Sequence, residues 1–137
     1  MTKNELLAMP ASSYMNKDQR IFFASLVGQL VEAIRARIEA KKPELERVES
    51  FSDPADTATL EELRQRVAVE IQRDTQRIKA LQETARRIAH DDLFGFCEVS
   101  GSEIGLPRML LLPEARLSVE EQERQERLAR HQSQRNT

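Results

Sequence analysis

Two carboxylates three residues apart, Asp53 and Asp56, stand in the run Phe51-Ser52-Asp53-Pro54-Ala55-Asp56-Thr57-Ala58. Part of this acidity has a structural use. Asp53 can N-cap a helix whose first residue is Pro54, and Asp56 at the third helical position favours the positive end of the helix dipole. Thr59 and Glu62 offer a second capping box just downstream. Two successive start signals exceed what one helix needs, so some of the tip acidity is expected to be spare for other work.

A second candidate group is Cys97 with His90, Asp91 and Asp92. Metal ligation needs about four donors at suitable spacing, and these four have none that is recognised. A lone cysteine between Phe96 and Glu98 reads as a small packed hydrophobe, and His90 suits a helix end on dipole grounds. The basic residues Arg73, Arg77, Lys79, Arg86 and Arg87 alternate with Glu70, Asp74 and Glu83, which describes a solvated helix face. No glycine-rich phosphate loop, nucleophile elbow or dinucleotide fingerprint is present. An enzyme is not expected.

The acidic run lies between two long segments with matched heptad patterns. In the first, Ala24, Val31, Ile38 and Leu45 interleave with Val27, Ile34, Lys41 and Val48. In the second, Leu60, Val67, Asp74, Leu81 and Ile88 interleave with Ile71, Ile78 and Ala85. Alternating steps of three and four mark a coiled-coil seam. A connection this short forces the two helices to pack antiparallel. Each arm of about 30 residues is about 45 Å long at 1.5 Å per residue. The result is a rod with carboxylates at its end, a shape suited to reaching into something deep.

Only Lys41 and Asp74 break the two seams. Folding the chain back near residue 57 brings them within about one heptad layer of each other. They are expected to neutralise each other, with little net stability but a penalty on other registers. The competing expectation is that both simply turn to solvent. Pro43 removes a helical donor and should kink the first helix or leave a local break.

The flanking regions differ in character. Residues 1–16 form an N-terminal segment without a sustained period, with a loop at Pro10–Ser13 and Asn16, or alternatively Asp18, as N-cap for the next helix. The coiled coil covers 17–90 with its tip at 51–58. Residues 91–117 hold three of the four glycines and read as a compact finger-like module. Ser118 and Glu121 open a C-terminal helix over 118–131, and 132–137 is expected to fray as a tail. The fold class is therefore dominated by α-helix.

Composition agrees with this. Charged residues make up 32% and aromatics 4%, with no Trp, as in long helices that bury a narrow stripe. Net charge is −2, from 21 basic and 23 acidic side chains, so no basic excess exists to neutralise a phosphate backbone. Direct DNA binding is not expected. One cysteine excludes an intramolecular disulfide. The N-terminus lacks the basic and apolar regions of a signal peptide, and no run approaches the roughly 18 apolar residues of a membrane span. The expectation is a cytoplasmic monomer with no membrane attachment.

The chain resembles the DksA/TraR family of bacterial transcription factors over about Tyr14 to Arg130. The resemblance is carried by Tyr14-Met15-Asn16 with Gln19 and Phe23, the tip Asp53-Pro-Ala-Asp56-Thr-Ala58, Phe94-Gly95-Phe96-Cys97-Glu98, and Gly101-Ser102-Glu103-Ile104-Gly105. It implies a partner, RNA polymerase, entered through its secondary channel so that the tip approaches the catalytic centre. The family's D-x-x-D-x-A tip falls on Asp53, Asp56 and Ala58. It implies that these act on polymerase or its active-site metal region and destabilise open promoter complexes, as at promoters of the stringent response.

Two departures qualify that expectation. Zinc-binding members carry two C-x-x-C pairs, and the matching positions are Cys97, Ser100, Ser118 and Glu121. Thiolate coordination of zinc cannot be built from that set, so neither metal nor cofactor is expected. A replacement core is expected from Phe94, Phe96, Ile104, Leu106, Leu110 and Leu117. Such a factor would keep working in a cell short of zinc. Positions that supply cations for the alarmone ppGpp in some members fall on Ala80, Leu112 and Gln122, so ppGpp dependence is expected to be weak or absent. The alternatives are a Gre-like cleavage factor with Mg²⁺ on its tip carboxylates, and a coiled-coil scaffold without polymerase contact.

Overall fold

The computed structural model describes residues 1–50 and 57–135, with side-chain surroundings for 1–47 and 58–135. Five α-helices lie among them: α1 (Lys3–Leu7), α2 (Lys17–Ser50), α3 (Thr57–His90), α4 (Leu106–Leu111) and α5 (Val119–Arg135). A 3-10 turn spans Ala11–Ser13, and the described residues contain no extended strand, only an antiparallel bridge between Phe96 and Glu103. The chain divides into two compact units, Ser25–Ala85 and the combination of Met1–Ala24 with Arg86–Thr137.

Within Ser25–Ala85, α2 and α3 run antiparallel. Arg37 meets Asp74 and Lys41 meets Glu70, so moving up one helix moves down the other by the same number of residues. The apolar layers follow the heptads: Val27, Val31, Ile34, Val67 and Leu81 are buried. Each such side chain contributes about 1.5–3 kcal/mol on full burial.

The seam departs from the heptad reading at one end. Ala24 and Ala85 are exposed, and Phe23 and Thr84 are buried in their stead. Thr84 tolerates burial because its hydroxyl donates to the carbonyl of Ala80 at 2.8 Å. A large ring at 23 fills space that an alanine leaves empty, which outweighs strict periodicity.

Three local expectations change. α2 continues through Pro43 without a break, with Lys42 Nζ 2.8 Å from Glu39 Oε1 across the same turn. Thr59 is already inside α3, so it is not an N-cap, a role that needs non-helical backbone. The surplus of start signals at the tip is therefore smaller than the sequence implied. α5 extends to Arg135, beyond the expected end near 131, because the stretch contains neither Gly nor Pro and its Arg and Gln residues favour helix.

The other unit gathers the N-terminal segment around the finger-like module. Thr2 caps α1, accepting from the Glu5 N–H at 3.1 Å, and α1 buries Leu6 completely. Asn16 Oδ1 accepts from the Gln19 N–H at 2.9 Å and so caps α2. The side chain of Gln19 reaches back to accept from the Met15 N–H at 2.9 Å. Gln19 is only 1% exposed, and this capping exchange is what satisfies it there.

Candidate functional site

The tip residues Asp53 and Asp56 lie outside the described residues. Ala58 is described: it is exposed in the first turn of α3.

In the seam, Lys41 Nζ lies 3.2 Å from Asp74 Oδ2. The stronger partner is Arg37, whose Nε is 3.0 Å from Oδ2 and whose Nη2 is 2.6 Å from Oδ1. Lys41 also reaches Glu70 at 3.3 Å. The Arg37 hydrogen bonds, opposed by burial and assisted by Lys41, hold the Asp74 carboxyl below the usual carboxylate range. Heptad reasoning missed Arg37 and Glu70 because neither occupies a seam position. A signal existed: two cations and two acids, each pair four residues apart, face each other in antiparallel helices.

In the module, the chain turns sharply at three glycines with left-handed backbone, Gly95 (φ +91°), Gly101 (φ +74°) and Gly105 (φ +101°). Gly95 also makes room for a neighbour: a Cβ there would lie 2.6 Å from Met15 Cγ. Tyr14 ties the loop together, donating to the Gly95 carbonyl at 2.6 Å and accepting from the Gly105 N–H at 2.9 Å. Its ring stands edge-on to Phe96 at 5.4 Å.

Phe94 is fully buried against Phe23, with ring centroids 6.0 Å apart. The guanidinium carbons of Arg20 and Arg87 lie 5.7 and 5.9 Å from its ring centre. Arg20 also donates to the carbonyls of Arg87, Ile88 and Asp91, satisfying the C-terminal end of α3. Of the six residues expected to form the module core, Phe94 and Ile104 are buried, whereas Phe96, Leu106, Leu110 and Leu117 are only half-buried. Met109, Pro113, Leu6 and Met15 complete the core. The N-terminal segment supplies part of this because small finger-like modules cannot bury enough apolar surface alone.

The four positions of a would-be metal site are already committed to other bonds. Ser118 Oγ caps α5 by accepting from the Glu121 N–H at 3.2 Å. Glu121, 8% exposed, pairs with Arg124 at 2.8 Å and accepts from Gln125 at 3.2 Å. Ser100 Oγ is 2.8 Å from Ser102 Oγ. Cys97 is 3% exposed, and hydrogen bonds led by the Ser100 hydroxyl, with N–H groups of Ser100, Ser118 and Val99, lower its thiol to about 6. One thiol, two hydroxyls and a neutralised carboxylate do not make a tetrahedral zinc site. Among the described residues no cluster of three or more His, Cys, Asp or Glu could hold a metal ion.

The profile of the family described as "Prokaryotic dksA/traR C4-type zinc finger" matches residues 93–127. Beyond that module, the RNA polymerase-binding transcription factor DksA of Haemophilus influenzae is 33% identical over 114 residues, covering 78% of this chain and 74% of the relative. The chain belongs to the DksA/TraR family. The DksA of Caulobacter vibrioides is 36% identical over 121 residues, covering 85% of this chain and 82% of the relative. The solved structure of transcription factor DksA2 from Pseudomonas aeruginosa superposes with a TM-score of 0.83 at 39% identity, covering 95% of this chain and all of that one. These DksA relatives carry the name of transcription factors and not of enzymes. The zinc-finger description belongs to the family. In this member the donor set at the four positions does not fit the metal.

No helix is long and apolar enough to cross a membrane among the described residues. Of the positions expected from the resemblance to fall on the ppGpp site, Ala80 and Gln122 are half-buried and Leu112 is 41% exposed. None offers a charge to a phosphate.

Proposed function

We propose that this chain is an RNA polymerase-binding transcription factor that regulates initiation without zinc. The observation that carries the reading is the joint match of hairpin and module to DksA relatives over 74–82% of their length, with the DksA2 fold at a TM-score of 0.83. In this reading the hairpin enters the secondary channel and Asp53 and Asp56 act near the polymerase active site, with Ala58 beside them. Regulation then falls on promoters whose open complexes are short-lived, and the protein acts as a cytoplasmic monomer without contacting DNA.

The module serves as the base of the rod. Its fold rests on Phe94, Met109, Ile104 and the N-terminal Leu6 and Met15, so loss of zinc leaves it intact. Weak or absent ppGpp dependence follows from the uncharged side chains at Ala80, Leu112 and Gln122, since a highly anionic alarmone needs cations.

The test is transcription by purified polymerase from a ribosomal RNA promoter, with a parallel cleavage assay on backtracked complexes. Lowered promoter output without stimulated cleavage supports the reading. Stimulated cleavage would make it a Gre-like factor, and no effect on either would leave a scaffold.

A further inference from the structure

Pro43 lies inside α2. It has no N–H to give to the carbonyl of Glu39, and its ring crowds that carbonyl, so the turn 39–43 lacks one of the hydrogen bonds that keep a helix straight. Alone, such a turn is a natural bending point. The charges beside it are arranged to oppose bending. Arg37 and Lys41 sit one helical turn apart immediately before the gap, and both reach Asp74 on α3. Lys41 also holds Glu70, and Lys42 holds Glu39 across the weak turn itself.

Asp74 is the node. It is 6% exposed and accepts from both cations, whereas Arg37 is half-exposed. A leucine at Asp74 and another at Lys41 would pack at least as stably, because buried ion pairs rarely exceed their apolar replacements in stability. What charge-assisted hydrogen bonds add is direction: their donors and acceptors must stay in line, while apolar contacts tolerate sliding.

We propose that the Asp74 network is a clasp on a hinge at Pro43, fixing the direction in which the hairpin continues toward its tip. Shifting the two helices by one heptad would set Asp74 against Glu44 or Leu30, and Lys41 against Arg77 or Leu63, so the clasp closes in one arrangement only. Its consequence for transcription rests on the polymerase reading above; the hinge itself does not.

The experiment uses the full chain with spin labels carried on azidophenylalanine at the exposed positions Gln29 and Glu46, about 25 Å apart along the axis at 1.5 Å per residue. The native chain should give one narrow distance distribution. Asp74→Leu with Lys41→Leu should keep the thermal midpoint or raise it, yet broaden the distribution toward shorter distances and lose most of the effect on promoter output. Adding Pro43→Ala should restore both, because the missing hydrogen bond returns. A distribution that stays narrow in Asp74→Leu/Lys41→Leu, a broad one that Pro43→Ala fails to narrow, or unchanged promoter output despite broadening would each overturn the proposal. If the native protein itself has no effect on transcription, the polymerase reading fails, and the distances alone decide the hinge.

Discussion

Arg37 grips Asp74 across the hairpin with two parallel hydrogen bonds, 3.0 Å from Nε to Oδ2 and 2.6 Å from Nη2 to Oδ1. Lys41 joins this fork from one turn further along, 3.2 Å from Oδ2. An arginine fits the role because its planar guanidinium matches a carboxylate in two places at once.

Asp74→Asn should therefore lower stability by about 1–3 kcal/mol, since one amide cannot satisfy two cations. The pH dependence has a definite sign. The folded carboxyl lies below its unfolded value of about 3.9, so its contribution is complete above roughly pH 4 and is lost as pH falls through the lowered folded value. Acid titration of the unfolding free energy should show the native chain losing its advantage over Asp74→Asn below that point. Parallel curves would contradict the assignment.

The pairing of Lys41 with Asp74 was legible because each interrupts an otherwise apolar stripe. Arg37 and Glu70 were not, since a charged residue outside the seam looks like any solvated charge. The two long helices were written in the heptads, but Phe23 and Thr84 replace Ala24 and Ala85 where side-chain volume overrides period. Gln19 illustrates a harder limit. Its composition predicts exposure, and only the geometry of Asn16 and Met15 shows why it is buried.

Gly95→Ala should cost about 2 kcal/mol, from a backbone conformation that alanine resists and a Cβ driven into Met15. Tyr14→Phe should cost about 1–2 kcal/mol by stranding the Gly95 carbonyl and the Gly105 N–H. Chemical denaturation of both variants checks these values. Loss near zero for Tyr14→Phe would show that the hydroxyl does not tie the loop.

The proposed independence of zinc predicts that a strong chelator leaves the thermal midpoint unchanged and that the purified protein holds no stoichiometric zinc. Metal analysis giving about one zinc per chain would contradict it. Binding of structural zinc is worth on the order of 10 kcal/mol, so its removal could not pass unnoticed.

The Cys97 thiol, held near 6 by its hydrogen bonds, should react with an alkylating agent along a pH profile centred about there. A profile centred near the ordinary thiol value of about 8.5 would show that Ser100 and the surrounding N–H groups do not stabilise the thiolate. Ser100→Ala should move the midpoint upward, because its hydroxyl is the leading cause of the lowering.

The proposed weak ppGpp dependence predicts that promoter output in the presence of this protein changes little on adding the alarmone. Placing cations at the aligned positions, with Ala80→Lys, Leu112→Arg and Gln122→Lys together, should raise the response. Strong synergy in the native protein would count against this part of the account.

The central claim is that Asp53 and Asp56 act on polymerase rather than merely starting a helix. The most direct measurement compares the native protein with Asp53→Asn/Asp56→Asn, scoring polymerase affinity and promoter output side by side. Asparagine still caps a helix, so the fold should survive. Retained binding with lost regulation is expected; unchanged promoter output with the doubly neutralised tip would contradict a role for these carboxylates on polymerase.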